Sequence, residues 1–380
     1  MTGVFTDRLA QTLARHSLLV PEQAARLPDL TERFAEPRQL AQELIRRGWL
    51  TPYQVNQIFL GREAELRLGK YVLLERLGEG GMGQVYKARQ HQLQRLVAIK
   101  VIRREFLGHP RAIPRFQREI QLAAQLSHPN IVHAVDAGLV DDTYYFAMEF
   151  VDGTRLDRLV RQSGPLRVDQ ACDYMRQAAL GLQHAHERGM VHRDIKPANL
   201  IVVRSPSHGS GGASSGILRR PGTGPRPWGT VKILDLGLAR GRQADPSLGK
   251  LTHVGSLMGT PDYISPEQAR GASDCDIRGD LYSLGCTFYY LLAGSLPFPR
   301  GSVTEKLFQH QFDESAPVEK VRREVLLRGL AAGDAQVIRQ LVAIPRPVTH
   351  LVRRLMAKRP EDRFESPGAV ATALAEIDAQ

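Results

Sequence analysis

The spacing of apolar positions over residues 1–64 reads as helical. From 39 to 47 it places Leu40, Leu44 and Ile45 on one face, and Gly48 is a fitting stop. Thr51 can cap a second helix, with Pro52 in its first turn and Tyr53, Ile58 and Phe59 along it. Trp49 and Leu50 lie between the two, so both helices can share a small core. Beyond residue 66 the pattern changes to short apolar runs. The runs at 71–74 and 85–88 flank a glycine-rich stretch and predict strand, turn, strand, and further strands are expected at 97–100, 146–151 and 230–234. Tyr289-Tyr290-Leu291-Leu292 belongs to a buried helix too short to cross a membrane. No apolar run reaches the ~18 residues that a span requires.

One stretch has too little apolar content to fold. Residues 204–229 are dominated by Ser, Gly, Pro and Arg and read as a disordered surface loop, with a phosphorylation or docking tail as the alternative. Such an insert is tolerated because the entropy of loop closure grows slowly with length.

The net charge of +11 and the pI near 9.8 raise the question of nucleic acid. Against it, there is no aromatic–basic ribbon, zinc spacing or clear reading helix, so the charge reads as a generally basic, soluble surface. A helix-turn-helix in the first 64 residues fails for the same reason: its second helix lacks a cluster of base-reading side chains. Three cysteines without a CxxC spacing suit a reducing cytoplasm, and the N-terminus shows no signal pattern. The expected location is cytoplasmic.

The densest chemistry lies in His192-Arg193-Asp194-Ile195-Lys196-Pro197-Ala198-Asn199. A carboxylate, an ammonium and an amide fall within one short loop, at the spacing phosphoryl transfer needs. Asp194 can orient a substrate hydroxyl and accept its proton, Lys196 can neutralise the moving γ-phosphate, and Asn199 can offer an oxygen to Mg²⁺.

This run resembles the catalytic loop of eukaryotic-like (Hanks-type) protein kinases, and Lys196 is the serine/threonine version of it. Other motifs follow in family order. Leu77 and Gly78-Glu79-Gly80-Gly81-Met82-Gly83, with Val85, resemble the glycine-rich loop over the nucleotide phosphates, where a Cβ would keep backbone N–H groups away. Val97-Ala98-Ile99-Lys100 carries the lysine for the α- and β-phosphates, and Glu119 is its candidate partner. Asp235-Leu236-Gly237 stands where the family has Asp-Phe-Gly, giving Asp235 a second metal-ligand role beside Asn199. Val85, Ala98 and Ile201 would enclose adenine, Glu149 and Val151 would bond its edge through their backbones, and Met148 would guard the rear. Glu267 is expected to pair with Arg363, and Asp280 to support the catalytic loop.

The resemblance implies an α+β, two-lobed protein kinase fold. A small antiparallel sheet with one helix would form the N-lobe (66–150) and a mostly helical C-lobe would cover 151–378. Residues 1–65 would be a helical N-terminal extension, regulatory or passive. The insert near 204–229 and extra helical sequence at 321–345 depart from the family pattern. The implied activity is ATP-dependent phosphorylation of Ser or Thr in proteins with Mg²⁺ (Mn²⁺ as an alternative); the rival is a nucleotide-binding pseudokinase scaffold. The sequence resembles bacterial members most. Arg115, Arg193 and Arg240 are expected to form a phosphate pocket for a phosphorylated Thr252 or Ser256, reached by autophosphorylation in trans. No specific nucleic-acid partner and no membrane span are expected.

Overall fold

Helices α1 (Thr2–Arg15), α2 (Pro21–Ala25), α3 (Leu27–Arg33), α4 (Pro37–Arg46) and α5 (Pro52–Phe59) precede the first strand in a computed structural model of the chain. It describes residues 2–34, 36–80, 83–102, 112–203, 228–235, 261–271, 275–328 and 343–378. These residues form two compact units, one from 1–114 with 134–150 and one from 115–133 with 151–380.

In the first unit, leucines four apart set the helix faces: Leu9 and Leu13 on α1, Leu40 and Leu44 on α4, all buried. Each fully buried leucine contributes roughly 1.5–3 kcal/mol relative to exposure. Gly48 ends the α4 turn at φ +68, a left-handed conformation that glycine adopts without a Cβ penalty. The shared core expected around Trp49 and Leu50 is present, with two corrections. Ala41 completes the buried face of α4 while Ile45 is only half-buried, and on α5 Phe59 is exposed whereas Gln54 is buried.

The helical core runs on into the sheet through Leu66 and Val72. That sheet has six strands, ordered β1-β2-β3-β4-β6-β5: β1 (Arg67–Leu68), β2 (Tyr71–Gly80), β3 (Gly83–Gln90), β4 (Arg95–Ile102), β5 (Ala134–Val140) and β6 (Thr143–Glu149). All neighbours are antiparallel. β2 is bulged between Leu73 and Glu75 and again between Arg76 and Gly78. A second core of Tyr71, Leu73, Ala88, Ile99 and Ala147 packs around the middle strands.

The second unit is mainly helical. α6 (Ala112–Ala124), most of which belongs to it, is followed by the short β7 (Thr154–Arg155), then α7 (Leu156–Ser163) and α8 (Val168–His186). β7, β8 (Leu200–Val203) and β9 (Thr230–Ile233) make a three-stranded antiparallel sheet. α9 (Pro266–Ala269), α10 (Ile277–Ala293), α11 (Val303–Phe312), α12 (Val318–Arg328), α13 (Arg346–Leu355) and α14 (Pro367–Asp378) complete it. α10 is buried over almost its whole length, which suits its high apolar content, and α8, α12 and α13 pack against it. Part of the extra sequence at 321–345 is helical, as the end of α12. There the buried Arg322 donates to the carbonyls of Leu166 and Leu292, at 2.8 and 2.6 Å. Most of the insert at 204–229 lies outside the described residues. Its last two residues are held in place, not loose: the Trp228 carbonyl accepts the Tyr174 hydroxyl at 2.8 Å, and the Arg167 guanidinium lies over the indole. Among the described residues, no helix is long and apolar enough to cross a membrane.

Candidate active site

The loop 192–199 is fixed by groups packed around it. Asp280, on the buried α10, accepts the backbone N–H groups of His192 and Arg193, both at 2.6 Å. Burial pushes the Asp280 carboxyl up; His192, the two N–H donors and Arg193 offset only part of that. His192 accepts the Asp194 N–H on Nδ1 at 3.2 Å, which leaves Nε2–H to donate to the Leu234 carbonyl at 2.8 Å. Gln268 donates to the Arg193 carbonyl at 3.2 Å. These bonds hold Arg193 at φ +65, a left-handed backbone that a non-glycine residue adopts at a cost.

Within the loop, Lys196 Nζ lies 2.8 Å from Asp194 Oδ2. The Asn199 amide nitrogen donates to the Asp194 carbonyl at 2.8 Å and to Oδ2 at 3.1 Å. Of the three side chains read as one chemical unit from sequence, Asp194 therefore contacts both of the others. Asp235 is brought beside them because Leu234 is pinned twice: its carbonyl by His192, and its N–H by the Asn199 carbonyl at 2.8 Å. Asp235 itself has φ +53, a conformation Asp tolerates better than most residues. β9, which leads to it, is held along its length by buried amides. Gln177 accepts the Val231 N–H at 2.8 Å and donates to the Gly229 carbonyl, while Asn130 donates to the Val231 carbonyl at 2.7 Å.

The expected Glu267–Arg363 pair is present. Arg363 donates to both carboxylate oxygens, at 2.8 and 3.0 Å, and its other N–H groups meet the carbonyls of Ala357, Arg278 and Lys358. Burial pushes the Glu267 carboxyl up, but Arg363, helped by hydrogen bonds from its own N–H and Ser265, brings the net shift downward.

In the first unit, register assembles a second group of residues. Val85 on β3 and Phe146 on β6 flank Lys100 on β4, and Ala98 pairs with Met148. Lys100, Ala98 and Met148 are buried, Glu149 is half-buried and Leu77 is exposed. The β2–β3 hairpin closes through Gly78↔Val85, Glu79↔Gln84 and Gly80↔Gly83. Its glycines differ in what the packing around them demands. A Cβ on Gly83 would sit 1.8 Å from the Val101 carbonyl oxygen, so packing demands glycine there. A Cβ on Gly78 would meet nothing within 4 Å, so the space beside that backbone is open, as a phosphate cradle requires.

Val151, Ile201 and Glu119 belong to the second unit. Gly81, Met82, Arg240, Thr252 and Ser256 lie outside the described residues, as does the Arg115 side chain. Of the predicted phosphate pocket only Arg193 is described. Its Nε is buried, with no hydrogen-bond partner among the described residues. Sequence reasoning missed Gln268, Gln177 and Asn130. Only Gln268 left a signal, as the third residue after Ser265 in a helix-capping box.

The donor set fits a divalent cation that arrives with phosphate. Asn199 spends its amide nitrogen on Asp194, which leaves a carbonyl oxygen, and Asp235 adds a carboxylate. Hard oxygen donors in ones and twos, completed by phosphate oxygens and water, are what Mg²⁺ takes.

Known proteins resemble the chain in sequence and fold. The chain is 34% identical over 312 residues to the serine/threonine-protein kinase PknB of Mycobacterium tuberculosis, covering 81% of this chain and 43% of that protein. It is 33% identical over 310 residues to pkn3 of Myxococcus xanthus, covering 81% and 50%. With PrkC of Bacillus subtilis the identity is 32% over 298 residues, covering 78% and 39%. The chain thus spans half or less of the length of these relatives. The crystal structure of the Mycobacterium tuberculosis PknI kinase domain matches with a TM-score of 0.56 at 25% identity, covering 82% of this chain and 97% of that one. That likeness gives the fold: each unit carries one part of the protein kinase fold. The family description "Protein kinase domain" matches residues 71–374, which include the loop 192–199, Lys100 and Asp235, and the chain belongs to that family beside its bacterial serine/threonine members.

Proposed function

We propose that the chain transfers the γ-phosphoryl group of ATP to Ser or Thr hydroxyls of proteins. The observation that carries this reading is the contact set of Asp194, Lys196 and Asn199, with Asp235 held alongside. Asp194 orients the acceptor hydroxyl and takes its proton as the hydroxyl oxygen bonds to the γ-phosphorus and the bond to the ADP oxygen breaks. Lys196 neutralises charge on the moving group, and Lys100, steadied by Glu119, holds the α- and β-phosphates. Members of the family use ATP with a divalent metal, which would neutralise phosphate charge when bound. Here Asn199 and Asp235 would hold it, with Mg²⁺ as the expected ion and Mn²⁺ as a substitute. Leu77 and residues 78–83 cover the phosphates. Val85, Ala98 and Ile201 contact adenine, Met148 closes the rear of its site, and the backbones of Glu149 and Val151 bond its edge.

Residues 66–378 then form the kinase domain, with 66–150 and 151–378 as its lobes, and residues 1–65 form an extension. The substrates are proteins bearing Ser or Thr, the chain itself included, in the cytoplasm where ATP is abundant. Autophosphorylation in trans at Thr252 or Ser256 would supply an anion for Arg193, whose buried Nε has no described partner, together with Arg115 and Arg240.

The test is transfer from γ-labelled ATP to generic protein substrates beside an Asp194→Asn control, with mass spectrometry of the purified enzyme. Label on substrate, and phosphate at Thr252 or Ser256, should appear in the wild type and vanish in the control. Equal labelling by both proteins would defeat the assignment.

A further inference from the structure

The capping box of α5 does two jobs at once. The Thr51 hydroxyl oxygen accepts the Gln54 N–H at 3.2 Å, and the Gln54 side-chain oxygen accepts the Thr51 N–H at 3.0 Å. This reciprocal cap uses only the acceptor side of each group. The donor sides are left over, and both point to the same place. The Thr51 hydroxyl donates to the Leu74 carbonyl, and Gln54 Nε2 donates to the Leu73 carbonyl at 2.9 Å.

Those carbonyls lie where β2 leaves regular pairing. Leu73 pairs with Ala88 and Glu75 with Lys87, so Leu74 is the extra residue of the bulge, without a cross-strand partner. On the other side β1 covers only Tyr71 and Val72, so among the described residues the outer edge of β2 beyond Val72 has no strand beside it. α5 takes over where β1 stops. Gln54 is the one buried residue of that helix, and the apolar core around it includes Val72, with Leu74 packed against it. Four residues beyond Leu74, β2 becomes the glycine-rich hairpin at Gly78.

We infer that Thr51 and Gln54 are positioning residues for the glycine-rich hairpin, and that the helical module of residues 2–59 sets ATP affinity by fixing the bulge of β2. The matched family region begins at residue 71, so this support comes from outside it. Without the two donors the bulge carbonyls lose their partners in a buried setting, and the strand leading to Gly78 can shift register or open. The inference rests on the kinase reading for its kinetic arm and on the structure alone for its second arm.

The experiment compares the full chain with Gln54→Glu, Thr51→Val and Thr51→Ser. Gln54→Glu keeps shape but turns a donor toward a carbonyl into an acceptor; Thr51→Ser keeps the hydroxyl. KM for ATP should rise about tenfold in Gln54→Glu and about three- to fivefold in Thr51→Val, the sizes that one or two lost hydrogen bonds give. The kcat should stay within about twofold of wild type, and Thr51→Ser should behave as wild type. Amide hydrogen exchange of residues 73–85 should speed up in the first two variants, while exchange in 277–293 stays unchanged. A kcat that falls with KM constant, or faster exchange throughout both units, would reduce the pair to a general structural role and overturn the inference. So would unchanged KM and unchanged exchange at 73–85. A wild type without any phosphoryl transfer would defeat the kinase reading instead, and the exchange arm would still decide this one.

Discussion

The loop 192–199 takes its fixing bonds from the interior of its own unit. Asp280 holds two of its N–H groups, Gln268 a carbonyl, and Leu234 the His192 ring. The outer edge of β2, which leads into the glycine-rich hairpin, is instead held by Thr51 and Gln54 from a helical module that precedes the matched family region. The loop of the second unit is thus clamped by a buried carboxylate and a helix that cannot shift without opening the core. The β2 edge of the first unit is clamped by two neutral side chains at a helix cap. On the proposed function, groups that act on a proton and a metal need fixed positions, whereas a hairpin that closes over a nucleotide needs one that can yield. Placing the second clamp on a separate module lets the hold on the hairpin be weak or strong without disturbing the chemistry.

The comparison can be broken most forcefully at Arg363. Replacing it with Met removes both bonds to Glu267 and strands a half-buried carboxylate and three carbonyls. Urea denaturation should register a loss of about 3–5 kcal/mol. A loss under about 1 kcal/mol would mean that the second unit is not clamped from its interior at all.

Lys100→Met, Asp194→Asn and Asp235→Asn come next. Each should lower kcat/KM by on the order of 10² or more, about 2.7 kcal/mol in the barrier, while thermal melting stays near wild type. Steady-state kinetics beside melting curves checks this. Near wild-type activity in Asp235→Asn with Mg²⁺ would remove the metal assignment. The set also sharpens the contrast, because these variants should touch the rate, whereas the β2 clamp should touch ATP affinity.

Much of the second unit's site was legible because its chemistry sits in one contiguous run. Asp194, Lys196 and Asn199 are close in sequence, so their contact needs only a loop of the right shape. Glu267 and Arg363 lie far apart along the chain, and Asp280 follows the loop by more than eighty residues, as its bonds to His192 and Arg193 record. Those partnerships were readable through family resemblance, not through periodicity. The first unit yielded less. Apolar spacing correctly marked Leu40 and Leu44, yet it also favoured Phe59, which is exposed, over Gln54, which is buried. Periodicity weighs each side chain by its own polarity. It cannot see that a bulge elsewhere frees two carbonyls and makes a glutamine worth burying. Trp228 carries the same lesson, since a single aromatic in a Gly- and Pro-rich stretch found a place on Tyr174 and Arg167.

The smallest expected effect separates the two clamps by pH. His310 on α11 bonds the Tyr282 hydroxyl through Nδ1 at 2.9 Å and stacks edge-on to Phe298, against the same α10 that carries Asp280. Lys358 donates to its carbonyl at 3.0 Å, and Lys306 pairs with Asp262 nearby. Burial, then Lys358, pushes the imidazole down from 6.5 to about 3, against the opposing pull of the Asp262 backbone carbonyl. The folded chain therefore keeps His310 neutral where the unfolded chain has already taken up a proton. Stability from this group is complete above about pH 6.5 and is lost progressively as the pH falls toward 3, by at most about 1.4 kcal/mol per pH unit. The clamp on β2 uses a hydroxyl and an amide, which do not titrate. Lowering the pH from 7 to 5 should thus speed hydrogen exchange in 192–199 and 277–293 before it does so in 71–80. His310→Gln, which retains a polar partner for Tyr282, should flatten the urea midpoint over the same range. If the variant kept the full wild-type pH slope, or if 71–80 opened first, the acid sensitivity would belong elsewhere and the two clamps would not differ in kind.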